Sequence, residues 1–140
     1  MKTDIKHIAA LVATSIWADG EYDAAERIVV EEIADAFELD VKGFAAAVEA
    51  ELSVVEPMTD DEVNAYILEH SVEVEDDEAE MLLQAVLQVV IIDGILREEE
   101  FENVLSIASA LGINEARAVL MIAHLVLENP DLKVELPQRD

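Results

Sequence analysis

Apolar residues recur along this chain three and four positions apart, and no alternating stretch is long enough for a useful strand. A first helix is predicted from about Asp4 to Ala18. It ends at Asp19-Gly20, where glycine suits the left-handed residue that closes a helix. Asp23-Ala-Ala-Glu26 reads as a capping box opening a second helix, with Val29, Val30, Ile33, Ala34 and Phe37 on its apolar face. A third helix follows Asp40 and buries Phe44, Ala45, Val48 and Leu52. After Pro57, Thr59-Asp-Asp-Glu62 forms another capping box and opens a fourth helix, with Val63, Tyr66 and Ile67 inward. The fifth helix is expected from about Asp76 to Ile92. Its uncharged half, Met81 to Ile92, has no polar face and predicts burial on most sides. Asp93-Gly94 ends it. A sixth helix from about Arg97 carries Phe101, Val104, Leu105, Ala108 and Leu111, and Gly112 caps it. Asn114 starts a seventh, nearly all apolar from Ala118 to Leu127.

This pattern gives an all-α, single-domain bundle of about seven helices over residues 1–128, followed by a tail over 129–140. The three most apolar helices, first, fifth and seventh, are expected at the centre, with the amphipathic ones around them. Pro130 and Pro137 predict an irregular tail, in which Leu132, Val134 and Leu136 are placed to dock on the bundle.

Shifting the chain by 74 residues lays Val12–Asp40 over Val86–Asn114. Eight pairs are identical: Val12/Val86, Asp19/Asp93, Gly20/Gly94, Glu26/Glu100, Val30/Val104, Ile33/Ile107, Ala34/Ala108 and Ala36/Ala110. The matches fall at a shared turn and along one helix face. The period exceeds the roughly 20–50 residues of a solenoid unit, so the pattern points to duplication of a helix–DG turn–helix half-domain.

Charge changes the picture next. There are 33 acidic and 8 basic residues, a formal net charge of −25, yet 53% of residues are hydrophobic. So much apolar side chain argues for a folded core despite the charge. The same charge repels phosphate backbones and anionic membrane surfaces, so nucleic acid and membrane are not expected partners. A basic protein partner met through an acidic surface is expected instead. Adaptation to high salt and simple solubility are the competing readings of the acidity. Without cysteine there is no disulfide, thiol nucleophile or thiolate metal site. Lys2 and Lys6 before the apolar run from Ile8 faintly imitate a signal peptide. Asp4 and the internal counterpart of that run argue against cleavage, and a cytoplasmic chain is expected.

The helix ending Ala18-Asp19-Gly20, with Glu26 six residues beyond the glycine and an amphipathic helix after it, resembles the tellurite-resistance TerB family. Ile92-Asp93-Gly94, Glu100 and Ala110-Leu111-Gly112-Ile113 repeat the resemblance, which spans about Ile5 to Leu127. It implies an all-helical bacterial cytoplasmic domain without enzymatic activity, linked to tellurite, stress or metal response. The second copy carries Arg97 where the first carries Asp23.

The DG turns also suggest chemistry of their own. A carboxylate at a helix C-terminus sits beside outward carbonyl oxygens, an arrangement that suits a hard cation such as Ca²⁺ or Mg²⁺. Asp19 with Glu26, and Asp93 with Glu100, are the candidate metal ligands. The competing reading makes both Asp-Gly pairs ordinary turns and Glu26 a capping-box partner. The rest of the sequence holds less. His7, His70 and His124 lack ligand spacing, and His124 is expected as a core histidine of the seventh helix. Trp17 is expected as a core anchor. No catalytic or cofactor-binding residue is assigned. An acidic, non-catalytic interaction module leads; an enzyme using paired carboxylates or a metal on the acidic face, or a structural salt-adapted domain, are the rivals.

Overall fold

The fold is organised around α1 (Ile5–Asp19), whose central residues from Ile8 to Ile16 are all buried. A computed structural model describes residues 2–19 and 22–135, with only the backbone of Asp19. Asp4 starts α1 by accepting the backbone N–H of Lys6 on its carboxylate. Ile8, Leu11, Val12 and Ile16 then occupy the core, each fully buried side chain stabilising by about 1.5–3 kcal/mol. α2 (Ala24–Ala36), α3 (Val41–Val55) and α4 (Asp60–Ser71) follow, and α3 and α4 pack directly on α1. A 3₁₀ turn over Asp76–Glu78 leads into α5 (Ala79–Val90), then α6 (Glu98–Ala110) and α7 (Glu115–Glu128). The all-α bundle predicted from the sequence is therefore present, with seven α-helices among the described residues.

The helix starts follow the capping chemistry. Asp23 and Thr59 each complete a capping box, with Glu26 and Glu62, and the side chains of Asp40 and Asn114 cap α3 and α7. The fifth helix begins three residues later than the periodicity indicated, because Asp76–Glu78 wind as a 3₁₀ turn. One short parallel pairing joins β1 (Ile95–Leu96) to β2 (Lys133–Val134). It docks the segment after α7 against the second DG turn, with half-buried Val134 in contact with the core; Leu136 lies outside the described residues.

The duplication extends beyond the matched sequence. α2 and α6 start and end 74 residues apart, and α3 and α7 start 74 residues apart. Glu26, Val29, Val30, Ile33 and Ala34 are the buried set of α2; Glu100, Asn103, Val104, Ile107 and Ala108, each 74 further on, are that of α6. The closing turns match too. Leu39 N–H reaches Ala34 C=O at 2.8 Å and Ile113 N–H reaches Ala108 C=O at 2.9 Å. The left-handed residue between them is Glu38 (φ 58°) in one half and Gly112 (φ 78°) in the other.

α7 departs from the expected architecture. α1 and α5 are central, but α7 is peripheral and packs chiefly on α6. Leu120 and Leu127 are well exposed. Its composition promised a buried helix, but Ala118 stands where the equivalent α3 has Phe44, so α7 lacks the large side chain that inserts α3 into the core. His124 is accordingly an exposed residue, not a core histidine; its Nε2 lies 2.8 Å from Glu128 Oε1, one turn on. Trp17 is half-buried against the core, as expected of an anchor.

Candidate functional site

The second DG turn is built from Asp93, Gly94, Arg97 and Glu100. Gly94 takes a positive φ of 82°, open to glycine and strained for other residues. Asp93 Oδ1 accepts the N–H of Ile95 at 3.1 Å, a local turn bond. Its other oxygen receives Arg97 Nη1 at 2.5 Å. Glu100 is 1% exposed; its Oε1 accepts the backbone N–H of Arg97 at 3.1 Å and lies 3.5 Å from Arg97 Nη1. The structure thus brings Asp93 and Glu100 together around one guanidinium. A metal ion between these two carboxylates has Arg97 to displace.

At the start of α2 the capping frame is the same as at the start of α6, and the charge is different. Glu26, 2% exposed, occupies the position of Glu100, and its Oε1 accepts the N–H of Asp23. Asp23 returns the bond, accepting the N–H of Glu26 at 2.9 Å. The side chain of Asp19, with Gly20 and Glu21, lies outside the described residues. Among the described residues, no three His, Asp or Glu side chains converge as a metal site.

Two further polar clusters come from packing rather than from sequence proximity. α1 and α4 bring His7 and His70 together, Nδ1 to Nδ1 at 2.9 Å, so one ring donates and the other accepts. The Tyr66 ring lies edge-on to His70, and its hydroxyl donates to Glu51 of α3. Burial lowers the His70 pKa, with the neighbouring His7 adding to the effect. No sequence signal marked this pair, since 63 residues separate its members. The second cluster is a clamp on buried Glu78. Its Oε1 accepts the hydroxyl of Thr3 at 2.6 Å and the N–H of Thr3 at 2.9 Å, and its Oε2 accepts the N–H of Lys2 at 2.8 Å. Burial alone would raise the Glu78 pKa, but these bonds outweigh it and hold the carboxyl below its usual value.

A groove of about 740 Å³ runs between α2, α5 and α7. Ile33 and Phe37, Ala85 and Ile92, and Met121 and Leu125 give it apolar walls, and Glu32 and Glu128 stand at its edges. Among the described residues, no Lys or Arg lines it.

The helix–turn–helix pair repeated at 74 residues, with its matched buried glutamates, is the architecture that the sequence resemblance led one to expect. A family model described as tellurite resistance protein TerB matches residues 6–121. No curated protein and no solved structure matches. Since the matched stretch takes in α1 to α6 and half of α7, both DG turns included, the chain belongs to the TerB family.

Proposed function

We propose that this TerB-family chain is a non-catalytic interaction module in a tellurite- or stress-response setting, whose acidic surface receives a basic protein partner. The observation that carries the reading is the imbalance of 33 acidic against 8 basic residues, which creates a field of one sign that steers cationic partners. The character of the groove supports it: apolar walls and acidic edges suit contact with a protein better than acid–base chemistry on a small molecule. The test is co-purification from the native cell at physiological ionic strength. A variant with Glu31, Glu32, Asp35 and Glu128 changed to amides is compared with wild type. A stoichiometric partner recovered with wild type and lost with the variant is expected; equal recovery with both removes the acidic surface from the reading.

A second reading places Ca²⁺ or Mg²⁺ at the DG turns, through Asp19 with Glu26 and through Asp93 with Glu100. The pair of buried glutamates at matched positions favours it. With so few ligands the dissociation constant is expected on the order of 10⁻⁴–10⁻³ M. Asp19→Asn with Asp93→Asn should weaken cation binding more than the charge-matched Glu49→Gln with Glu102→Gln, in titrations at constant ionic strength. Equal loss in the two would leave the turns without a site.

A further inference from the structure

The duplication identifies what the groove between α2, α5 and α7 corresponds to. In the first half, α4 lies across α1 and α6. Its Tyr66 packs on Ala10 and its His70 on His7. Adding 74 converts α1 into α5, and subtracting 74 converts α6 into α2. The equivalent surface is therefore the one over α5 and α2, where the groove runs. Ala10 becomes Gln84 and His7 becomes Met81, and both are exposed along it. The groove is thus the seat of a fourth helix for the second half. The described chain does not supply one. Residues 134 onward would correspond to α4, but Lys133 and Val134 pair instead with Ile95 and Leu96, at the second DG turn.

We propose that this seat receives one amphipathic helix of a basic partner protein, laid across α2 and α5 as α4 is laid across α6 and α1. The proposal rests on the interaction-module reading above and narrows it to one surface and one partner shape. Length fits: α5 and α4 each have 12 residues, about 18 Å or some three turns. Side-chain spacing fits: α4 buries Val63, Tyr66, Ile67 and His70, at i, i+3, i+4 and i+7, and the incoming helix needs apolar residues at the same spacing. Charge decides the class of partner. The edges carry Glu32 and Glu128, the latter bonded to His124, and among the described residues no Lys or Arg lines the groove, so Lys or Arg flanking the apolar stripe is complementary. A second copy of this chain, at −25, brings the wrong sign.

The probe is a 14-residue Leu/Lys peptide with leucines at i, i+3, i+4 and i+7, compared with its scrambled isomer at 0.15 M salt by fluorescence anisotropy. The amphipathic peptide should bind at least tenfold more tightly than the scramble. Met81→Asp with Ile92→Asp, at two well-exposed positions, should weaken it at least tenfold even though the added charges attract a cationic peptide. Glu32→Gln with Glu128→Gln should weaken it about threefold more than Glu73→Gln with Glu102→Gln. Thermal melts of each variant confirm that it folds, and amide shifts confined to α2, α5 and α7 locate the peptide. Equal binding of peptide and scramble, with equal loss in both glutamine pairs, would overturn the seat and leave the acidic-surface reading standing. If neither peptide binds, both fall. Self-association abolished by the Met81 and Ile92 changes would make the occupant a second copy and overturn the basic helix.

Discussion

The two halves share a plan and differ in how tightly it is closed. In the first, Phe44 drives α3 into α1, and α4 covers the remaining face. In the second, Ala118 takes the place of Phe44, α7 stays at the edge, and a groove runs where a covering helix would lie. The same residue positions are buried in α2 and α6, so the helix–turn–helix unit itself is preserved. What has diverged is the third helix and the cover. A duplicated fold can thus keep one half as the stable core and leave the other with apolar surface to present.

The largest effect expected from this contrast is in the core. Phe44→Ala should cost about 3–5 kcal/mol, because a fully buried aromatic leaves a cavity enclosed by α1 and α3. Met121→Ala, on the groove side of α7, should cost about 2 kcal/mol, because water already reaches the site and no closed cavity forms. Urea midpoints of the two variants decide the matter. Equal costs would show that the halves are equally well packed.

The DG turns supply the next contrast. Arg97→Asp puts the first-half residue into the second half. It offers α6 an N-cap acceptor, worth about 1 kcal/mol. It also removes the guanidinium from buried Glu100 and sets a third carboxylate beside Asp93. The loss of a partner from a buried charge dominates, and a net destabilisation of about 2 kcal/mol is expected. Arg97→Met, which removes the charge without adding one, should cost about half as much. Added salt should recover part of the loss in Arg97→Asp and little in Arg97→Met. If Arg97→Asp is as stable as wild type, the two turns are interchangeable.

Much of this contrast was legible in the sequence, and the missing part has a physical reason. Capping residues act within four positions, so Asp23, Asp40, Thr59 and Asn114 marked helix starts that the structure keeps. The matched Asp19/Asp93 and Glu26/Glu100 disclosed the repeat. Packing partners are not local. The apolar run of α7 reads the same whether a helix is enclosed or left at an edge, and its central placement was expected for that reason. The meeting of His7 with His70, like that of Arg97 with its two acids, depends on side-chain geometry that periodicity does not encode.

A smaller effect comes from the closing turns. Glu38 and Gly112 hold the same left-handed position, and glycine alone adopts it without strain. Glu38→Gly should therefore stabilise by about 0.5–1 kcal/mol, after the greater freedom of glycine in the unfolded chain is deducted. Gly112→Ala should destabilise by about 1 kcal/mol, although no heavy atom stands within 4 Å of the added carbon. Opposite signs in thermal melts are expected; a destabilising Glu38→Gly would mean that the Glu38 side chain contributes more than its backbone costs.

The finest contrast is a slope with pH. His7 lies under His70 in the first half, whereas its equivalent Met81 is uncovered in the second. Burial lowers the His70 pKa, the neighbouring His7 and Lys6 lower it further, and Glu51 and Glu69 only partly oppose them. A folded pKa below the ordinary value of about 6.5 means that the unfolded chain binds more protons in the interval between the two. The stability contributed by neutral His70 is complete above that interval and is lost as pH falls through it. Crowded carboxylates act in the opposite direction, since repulsion eases as they protonate, but that contribution is screened by salt and buried His70 is screened far less. Urea midpoints at pH 7.5 and 5.5 in 0.5 M salt should therefore fall with pH for wild type and fall less for His70→Phe. Met81→His sharpens the comparison: it places a histidine at the matching position of the second half, where solvent reaches it and α4 has no counterpart, so it should leave the slope of wild type unchanged. Parallel curves for wild type and His70→Phe would show that the covered face of the first half holds its histidines no differently from an open one.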